Sequence, residues 1–213
     1  GVIQQVSTRP LSIDSSNVEI IRAGLQACDP AKGKPMVNSV SLERRAAVDI
    51  ARQIEAVVIA AAAGETSMPA DKEQRLANAE RLVDLLHKEG FRPADIHLDP
   101  LVFPVSVDPN NGRMILETVA ELRRRYGAEI HFAPGLSNIS YGMPNRKLLN
   151  QVFTRLCVER GLDGGIVDPL QINQQDLEAL DPESPGYSIA KAFLTGEDAF
   201  GMKFIAAVRG KTI

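Results

Sequence analysis

Five short apolar runs in this chain end on a polar residue: LSID at Asp14, MVN at Asn38, IHLD at Asp99, FAPGLSN at Asn138 and GGIVD at Asp168. Each run has strand length, and amphipathic helical stretches lie between most of them. Runs that are apolar on both faces belong to parallel sheets covered by helices. The alternation therefore restricts the chain to a parallel α/β architecture. In a parallel barrel the carboxyl ends of all strands converge on one face, so side chains at those ends line one pocket. Five polar strand ends predict a site for a small ligand rich in hydrogen-bonding groups.

The helical stretches carry their own punctuation. SSNVEIIRAGLQAC follows the first strand, with Ser15 or Ser16 expected as its cap and Val18, Ile21 and Leu25 on one face. LERRAAVDIARQIEA places Ala46, Ala47, Ile50 and Ile54 at helical spacing. DKEQRLANAERLVDLLHKEG opens on Asp71 with Gln74 three residues on, a capping-box pattern, and closes on Gly90. NGRMILETVAELRRRYG ends at Gly127, and NRKLLNQVFTRLCVERG ends at Gly161. Strands are expected in LSID, MVN, VVIAAAA, IHLDPLVF, HFAPGLS and GGIVDPL. About six strand-plus-helix units result, whereas a closed barrel of this kind needs eight. The opening GVIQQVSTRP reads as the tail of a helix entering a strand. The expected fold is a TIM-type (β/α)8 barrel whose first two units are absent from this chain, forming one domain over 1–213. An open six-stranded α/β sheet is the alternative.

Composition excludes several functions. The 213 residues carry 24 Lys and Arg against 27 Asp and Glu, for a net charge of −3, and no basic block suits nucleic acid. RRRY at Arg123–Tyr126 closes a helical pattern, where cations suit the dipole, and reads as a solvated face. Cys28 and Cys157 lie far apart in helical patterns, as small buried apolar residues in a reducing compartment do. No run of about 18 apolar residues spans a membrane and no signal-peptide pattern opens the chain, so the cytoplasm follows by elimination. Strand ends carry no Lys for a Schiff base. His87, His97 and His131 fall on a helix surface or at strand starts and lack ligand spacing, so no metal site is expected. There is neither a phosphate loop nor a GxGxxG motif.

The strand-end residues suggest their own chemistry. A carboxylate offers two coplanar acceptors to a heterocycle with adjacent amino and ring N–H donors, and an Asn gives and takes beside it. Asp14, Asn38 and Asp99 form that group. For Asp14 the competing role is a cap, since Ser15 and Ser16 follow; for Asp99 it is weaker, since Pro100 follows. In GLSNIS, Gly135 permits close approach and exposes Asn138, which can follow a ligand atom through a change of protonation. Arg146 falls in the first turn of the next helix, against the dipole. That position suits an anionic tail or a salt bridge with Asp168, or leaves Arg146 solvated. Asp168 either lines the pocket or supports the Asn138 loop.

LSIDSSN, MVNS, IHLDPLVFPV, GLSNISYGMPNRKLLN and GLDGGIVDPL, in that order, resemble the pterin-binding barrel of methyltetrahydrofolate:corrinoid methyltransferases. The resemblance spans essentially the whole chain and is most specific at GLSN with the following NR and later Asn. It implies pterin contacts from Asp14, Asn38, Asp99 and Asn138, with Asn138 on pterin nitrogen 5 as the catalytic group, and matches Arg146 to an Arg after that loop; with Asp168 from the strand-end reading, these six residues are the expected pterin site. It also implies methyltetrahydrofolate or tetrahydrofolate as substrate, a cobalamin carried by a partner corrinoid protein, and a homodimer. Two features depart from the family: an early Asp-x-Asn strand has no counterpart, and Tyr141 stands where related enzymes often have Gln. Dihydropteroate synthase, a more distant relative, is the alternative reaction; SNIS and VDPLQ stand where it carries SRK and a histidine motif. A non-catalytic pterin-binding subunit is the third reading.

Overall fold

The computed structural model describes residues 2–213. Its elements run in order α1 (Val2–Val6), β1 (Ser12–Asp14), α2 (Val18–Gln26), β2 (Met36–Val40), α3 (Arg45–Gln53), β3 (Val57–Ala61), α4 (Lys72–Lys88), β4 (Ile96–Asp99), α5 (Asn111–Tyr126), β5 (His131–Phe132), α6 (Arg146–Glu159), α7 (Gln174–Glu178), α8 (Pro185–Leu194) and α9 (Met202–Arg209). The chain divides into two compact units, residues 1–100 with 126–133, and residues 101–125 with 134–213.

The first unit holds a five-stranded sheet in the order β1-β2-β3-β4-β5, all pairs parallel. Every strand lies beside the next in sequence, with no reversal of direction of growth across the sheet. Val37, Val58, Ile96 and Leu98 are almost fully buried, as strands covered on both faces require. Helices α2, α3 and α4 bury Ile21 and Leu25, Ala47 and Ile50, and Leu82 and Leu86 respectively. The cap at Asp71 forms as its spacing predicts, with Asp71 Oδ1 accepting from Gln74 N at 2.8 Å, but the return bond falls one residue earlier than in a capping box, Gln74 Oε1 accepting from Ala70 N at 3.0 Å. Gly90 ends α4 at φ 87°.

Three expectations are corrected. Asn17, not Ser15 or Ser16, caps α2: its Oδ1 accepts from Glu19 N at 2.8 Å and Ile20 N at 3.2 Å. Ser15 instead accepts from Asn17 N, one step back. GGIVD forms no strand but one parallel bridge, Gly135 to Ile166. Pro134 supplies no N–H, and Gly164 and Gly165 have no side chains to pack, so the ladder stops after two hydrogen bonds. Five named strands, not six, therefore stand in the sheet. RRRY is only partly a solvated face: Arg124 and Arg125 grip Glu121 and hold its carboxyl down to about 2, while Arg123 donates to Gly161 O at 2.8 Å and pairs with Asp163.

Beneath the sheet, Asp95 joins two cations. Lys34 Nζ and Arg92 Nε each lie 2.8 Å from its Oδ2. The Arg92 hydrogen bonds hold the Asp95 carboxyl below its usual range; partial burial opposes them, and Lys34 adds to the lowering. A carboxylate whose folded pKa is depressed stabilises fully above its unfolded value near ~4, and that stabilisation fades as pH falls through the folded pKa. Asp95→Asn is expected to cost about 1–2 kcal/mol at pH 7. Urea titrations of both proteins should show the gap closing in acid; an undiminished gap at pH ~2 would refute the pairing as its source.

The second unit is helical. Its core includes Leu149, Val152, Phe153 and Phe193, with Phe193 and Phe204 stacked at 5.7 Å. Cys157 is buried there, and burial pushes its thiol far up; both cysteines are free. Among the described residues no helix is long and apolar enough to cross a membrane.

Candidate functional site

In the first unit Asp14 and Asp99 end β1 and β4, whereas Asn38 lies within β2, which runs two residues past the end expected for MVN. Asp14 is level with Asn38 across β1 and β2, and Asn38 is level with Ile59 of β3. Asp99 is level with Ala61, two residues further along β3. The strand between Asn38 and Asp99 ends on two small buried residues, Ala60 and Ala61.

Asp14 is exposed, and its Oδ2 accepts from Asn38 Nδ2 at 3.1 Å. Because Asn17 caps α2, the Asp14 carboxylate is released from that duty. Its position is held from behind: Ser15 N donates to Asn38 O, and Arg44 Nη2 donates to Ser15 O at 2.6 Å. Asp99 is half-buried at the end of β4, and its carbonyl accepts from Ala62 N at 2.9 Å. Pro100 follows, and its carbonyl accepts from Arg75 Nε at 3.1 Å. Arg75 is fully buried, and its Nη1 also donates to Asp71 O. Burial lowers its pKa and Asp71 opposes that, yet a guanidinium keeps its charge in any protein.

Arg75 escaped the sequence reading, although a signal was present. Arg75, Ala79, Leu82 and Leu86 share one stripe of α4, so a cation sits at a position the pattern reserves for an apolar side chain.

In the second unit Asn138 sits mid-way along a 3-10 turn, Leu136–Ser140. It is exposed, and its side-chain amide makes no hydrogen bond among the described residues. A Cβ at Gly135 would stand 3.2 Å from Asn138 Nδ2, so glycine there leaves the amide its place. The turn is tethered on several sides. Val105 N donates to Ile139 O, Leu136 N to Ile166 O, and Ser106 Oγ to Tyr141 O at 2.6 Å.

Arg146 begins α6, as its position in NRKLLN implies, and turns back onto the same loop. Its Nε donates to Ser140 Oγ at 3.0 Å and its Nη2 to Ser137 O at 2.9 Å. Among the described residues it makes no ion pair with Asp168, and it is not simply solvated. Asp168 accepts from Leu170 N at 3.0 Å and Gln171 Nε2 at 2.7 Å, which folds the chain after the bridge. The structure therefore groups Asp14, Asn38 and Asp99 on one sheet edge, and Asn138, Arg146 and Asp168 around one turn.

These features define a class: a parallel α/β protein with carboxylates at two strand ends and a carboxamide within a strand between them, and with an Asn on a braced turn whose amide is unengaged among the described residues. The family model described as pterin binding enzyme matches residues 1–168. The chain belongs to that family of pterin-binding enzymes. A methylcorrinoid:tetrahydrofolate methyltransferase of Eubacterium limosum is 30% identical over 173 residues, covering 79% of this chain and 62% of that protein. Methionine synthases of Mycobacterium leprae and Mycobacterium tuberculosis are 30% and 31% identical over 187 and 181 residues, 81% and 78% of this chain. The chain spans 15% of the length of each of these two.

Proposed function

We propose that this protein binds the pterin of a reduced folate and moves a methyl group between its nitrogen 5 and the cobalt of a corrinoid carried by a partner protein. The observation that carries the reading is the Asp14–Asn38 pair, level across β1 and β2 toward the carboxyl ends of both strands, with Asp14 free of helix capping. Such a pair presents coplanar acceptors and a donor to the amino and ring N–H edge of a pterin. Asp99 adds a second carboxylate on the same sheet edge. The family match and the methyltransferase named among the relatives support the same reaction class.

The proposed architecture is the eight-unit barrel. The sequential strand order supports it, since an open doubly wound sheet reverses its order at a switch point.

Transfer to cobalt breaks the methyl–nitrogen bond. The bonding pair stays on nitrogen 5, which gains a proton from solvent, and Co(I) supplies the pair for the new bond to carbon. Cobalt contributes nucleophilicity; the protein contributes alignment and charge control. An amine leaves poorly until positive charge builds on it. Asn138 has a side-chain amide without a hydrogen-bond partner among the described residues and can accept from the protonated nitrogen, an interaction that strengthens toward the transition state. Asp14, Asn38 and Asp99 orient the ring, and alignment supplies up to about 7 kcal/mol in favourable cases. Arg146, engaged with Ser137 and Ser140, keeps the Asn138 turn in place, and Asp168 shapes the adjoining chain.

The test is a titration with methyltetrahydrofolate followed by addition of free Co(I) cobalamin. Saturable folate binding and growth of the methyl–cobalt absorbance are expected. Binding without turnover would reduce the protein to a folate holder, and absence of binding would defeat the reading.

A further inference from the structure

Beside the Asn138 turn lies a cavity of about 270 Å³, lined by Ser137, Arg146, Asn150, Asp168, Gln171 and Ile172. Asn150 is 3% exposed, and its Oδ1 is buried with no hydrogen-bond partner. Its amide as a whole makes no hydrogen bond among the described residues. Arg146 and Asn150 are four residues apart on α6 and so share a face. Arg146 commits two N–H groups to the turn and keeps its Nη1 donors. The helix start carries no side-chain cap, since Asn145, at φ 46°, makes no such bond. Its first N–H groups are therefore also available as donors.

The charge of this cavity selects its occupant. It holds one guanidinium, one carboxylate and two carboxamides, so its formal charges cancel. A carboxylate would meet Asp168 as well as Arg146, whereas a neutral group with one donor and one acceptor suits both ends. A buried acceptor without a donor destabilises the chain that bears it. Its presence is accounted for if the donor arrives with a ligand.

We propose that this cavity is a subsite for a secondary carboxamide. Its N–H is received by Asn150 Oδ1, and its C=O accepts from Arg146 Nη1. The inference rests on the reading of the substrate as a reduced folate, whose aminobenzoyl group is joined to glutamate through such an amide. It assigns Asn150 to recognition of the tail and not of the pterin ring.

Two ligands with one ring separate the ideas: 5-methyltetrahydrofolate, and 5-methyltetrahydropteroate, which carries a free benzoate in place of the amide. The wild-type protein is expected to bind the amide about tenfold more tightly, the scale of one good buried hydrogen bond. Asn150→Leu should bring the two dissociation constants within about twofold and raise the Tm of the ligand-free protein by a few degrees, about 2–4 °C. Asn150→Ala should lose the discrimination in the same way. Equal binding of both ligands by the wild type, as expected if ordered water alone fills the cavity, overturns this inference and leaves the pterin reading intact. So does a preference for the amide that survives in both variants. Binding of neither ligand defeats the pterin reading itself.

Discussion

Alanine at position 138 is expected to slow methyl transfer about a hundredfold to a thousandfold while changing folate affinity by no more than a few fold. The size is that of one preorganised polar group removed from a developing charge. The asymmetry follows from where the side chain sits. Asn138 is exposed, its amide is unengaged, and the turn beneath it is fastened through Val105, Ser106, Leu136 and Arg146. Its removal therefore takes away a ligand contact without loosening the backbone. Asp99→Ala should do the reverse, weakening folate binding strongly by removing an acceptor for the ring in its ground state. Single-turnover transfer to Co(I) cobalamin and equilibrium folate titration, run on both variants, give the comparison. Similar losses of rate and affinity in both would end the division of labour.

The second large effect concerns stability. Arg75→Ala is expected to cost about 3–5 kcal/mol. The side chain is fully buried, so truncation opens a cavity in the face of α4 that packs on the sheet. It also strips the carbonyls of Pro100 and Asp71 of a donor each. Pro100 directly follows Asp99, so the damage falls on the strand end that carries a proposed ring contact. Arg75→Lys should recover little, because an ammonium cannot reach two carbonyls in different directions as a planar fork does. Chemical denaturation of the two variants measures the loss. A cost below 1 kcal/mol for alanine would show that water replaces the guanidinium.

The parallel sheet and its polar strand ends were legible because both signals are local. Apolar runs of strand length alternate with helical stretches, and Asp14 and Asp99 close two of the runs that form strands. The Asp71–Gln74 cap and the glycines at 90, 127 and 161 were legible for the same reason. The GGIVD run misled because its residues suit a strand, while pairing depends on what lies alongside. There Pro134 withholds an N–H, and only one bridge forms. Arg146 shows what position alone leaves open. Its place in the first helical turn suggested an anionic tail, a salt bridge with Asp168 or a solvated side chain; among the described residues it makes no such bridge, and its Nε and Nη2 are directed at the hydroxyl and backbone of the preceding turn.

From the sequence alone came the parallel α/β class, the strand ends that bear polar groups, and the resemblance to pterin-binding enzymes. These rest on periodicity and order along the chain, which tertiary packing does not alter. Only the folded chain decided which polar groups are already satisfied. Asn17 takes the helix cap and so leaves Asp14 to Asn38; among the described residues the side-chain amides of Asn138 and Asn150 make no hydrogen bond. Hydrogen-bonding capacity is a property of each residue, but its vacancy depends on neighbours brought together by packing.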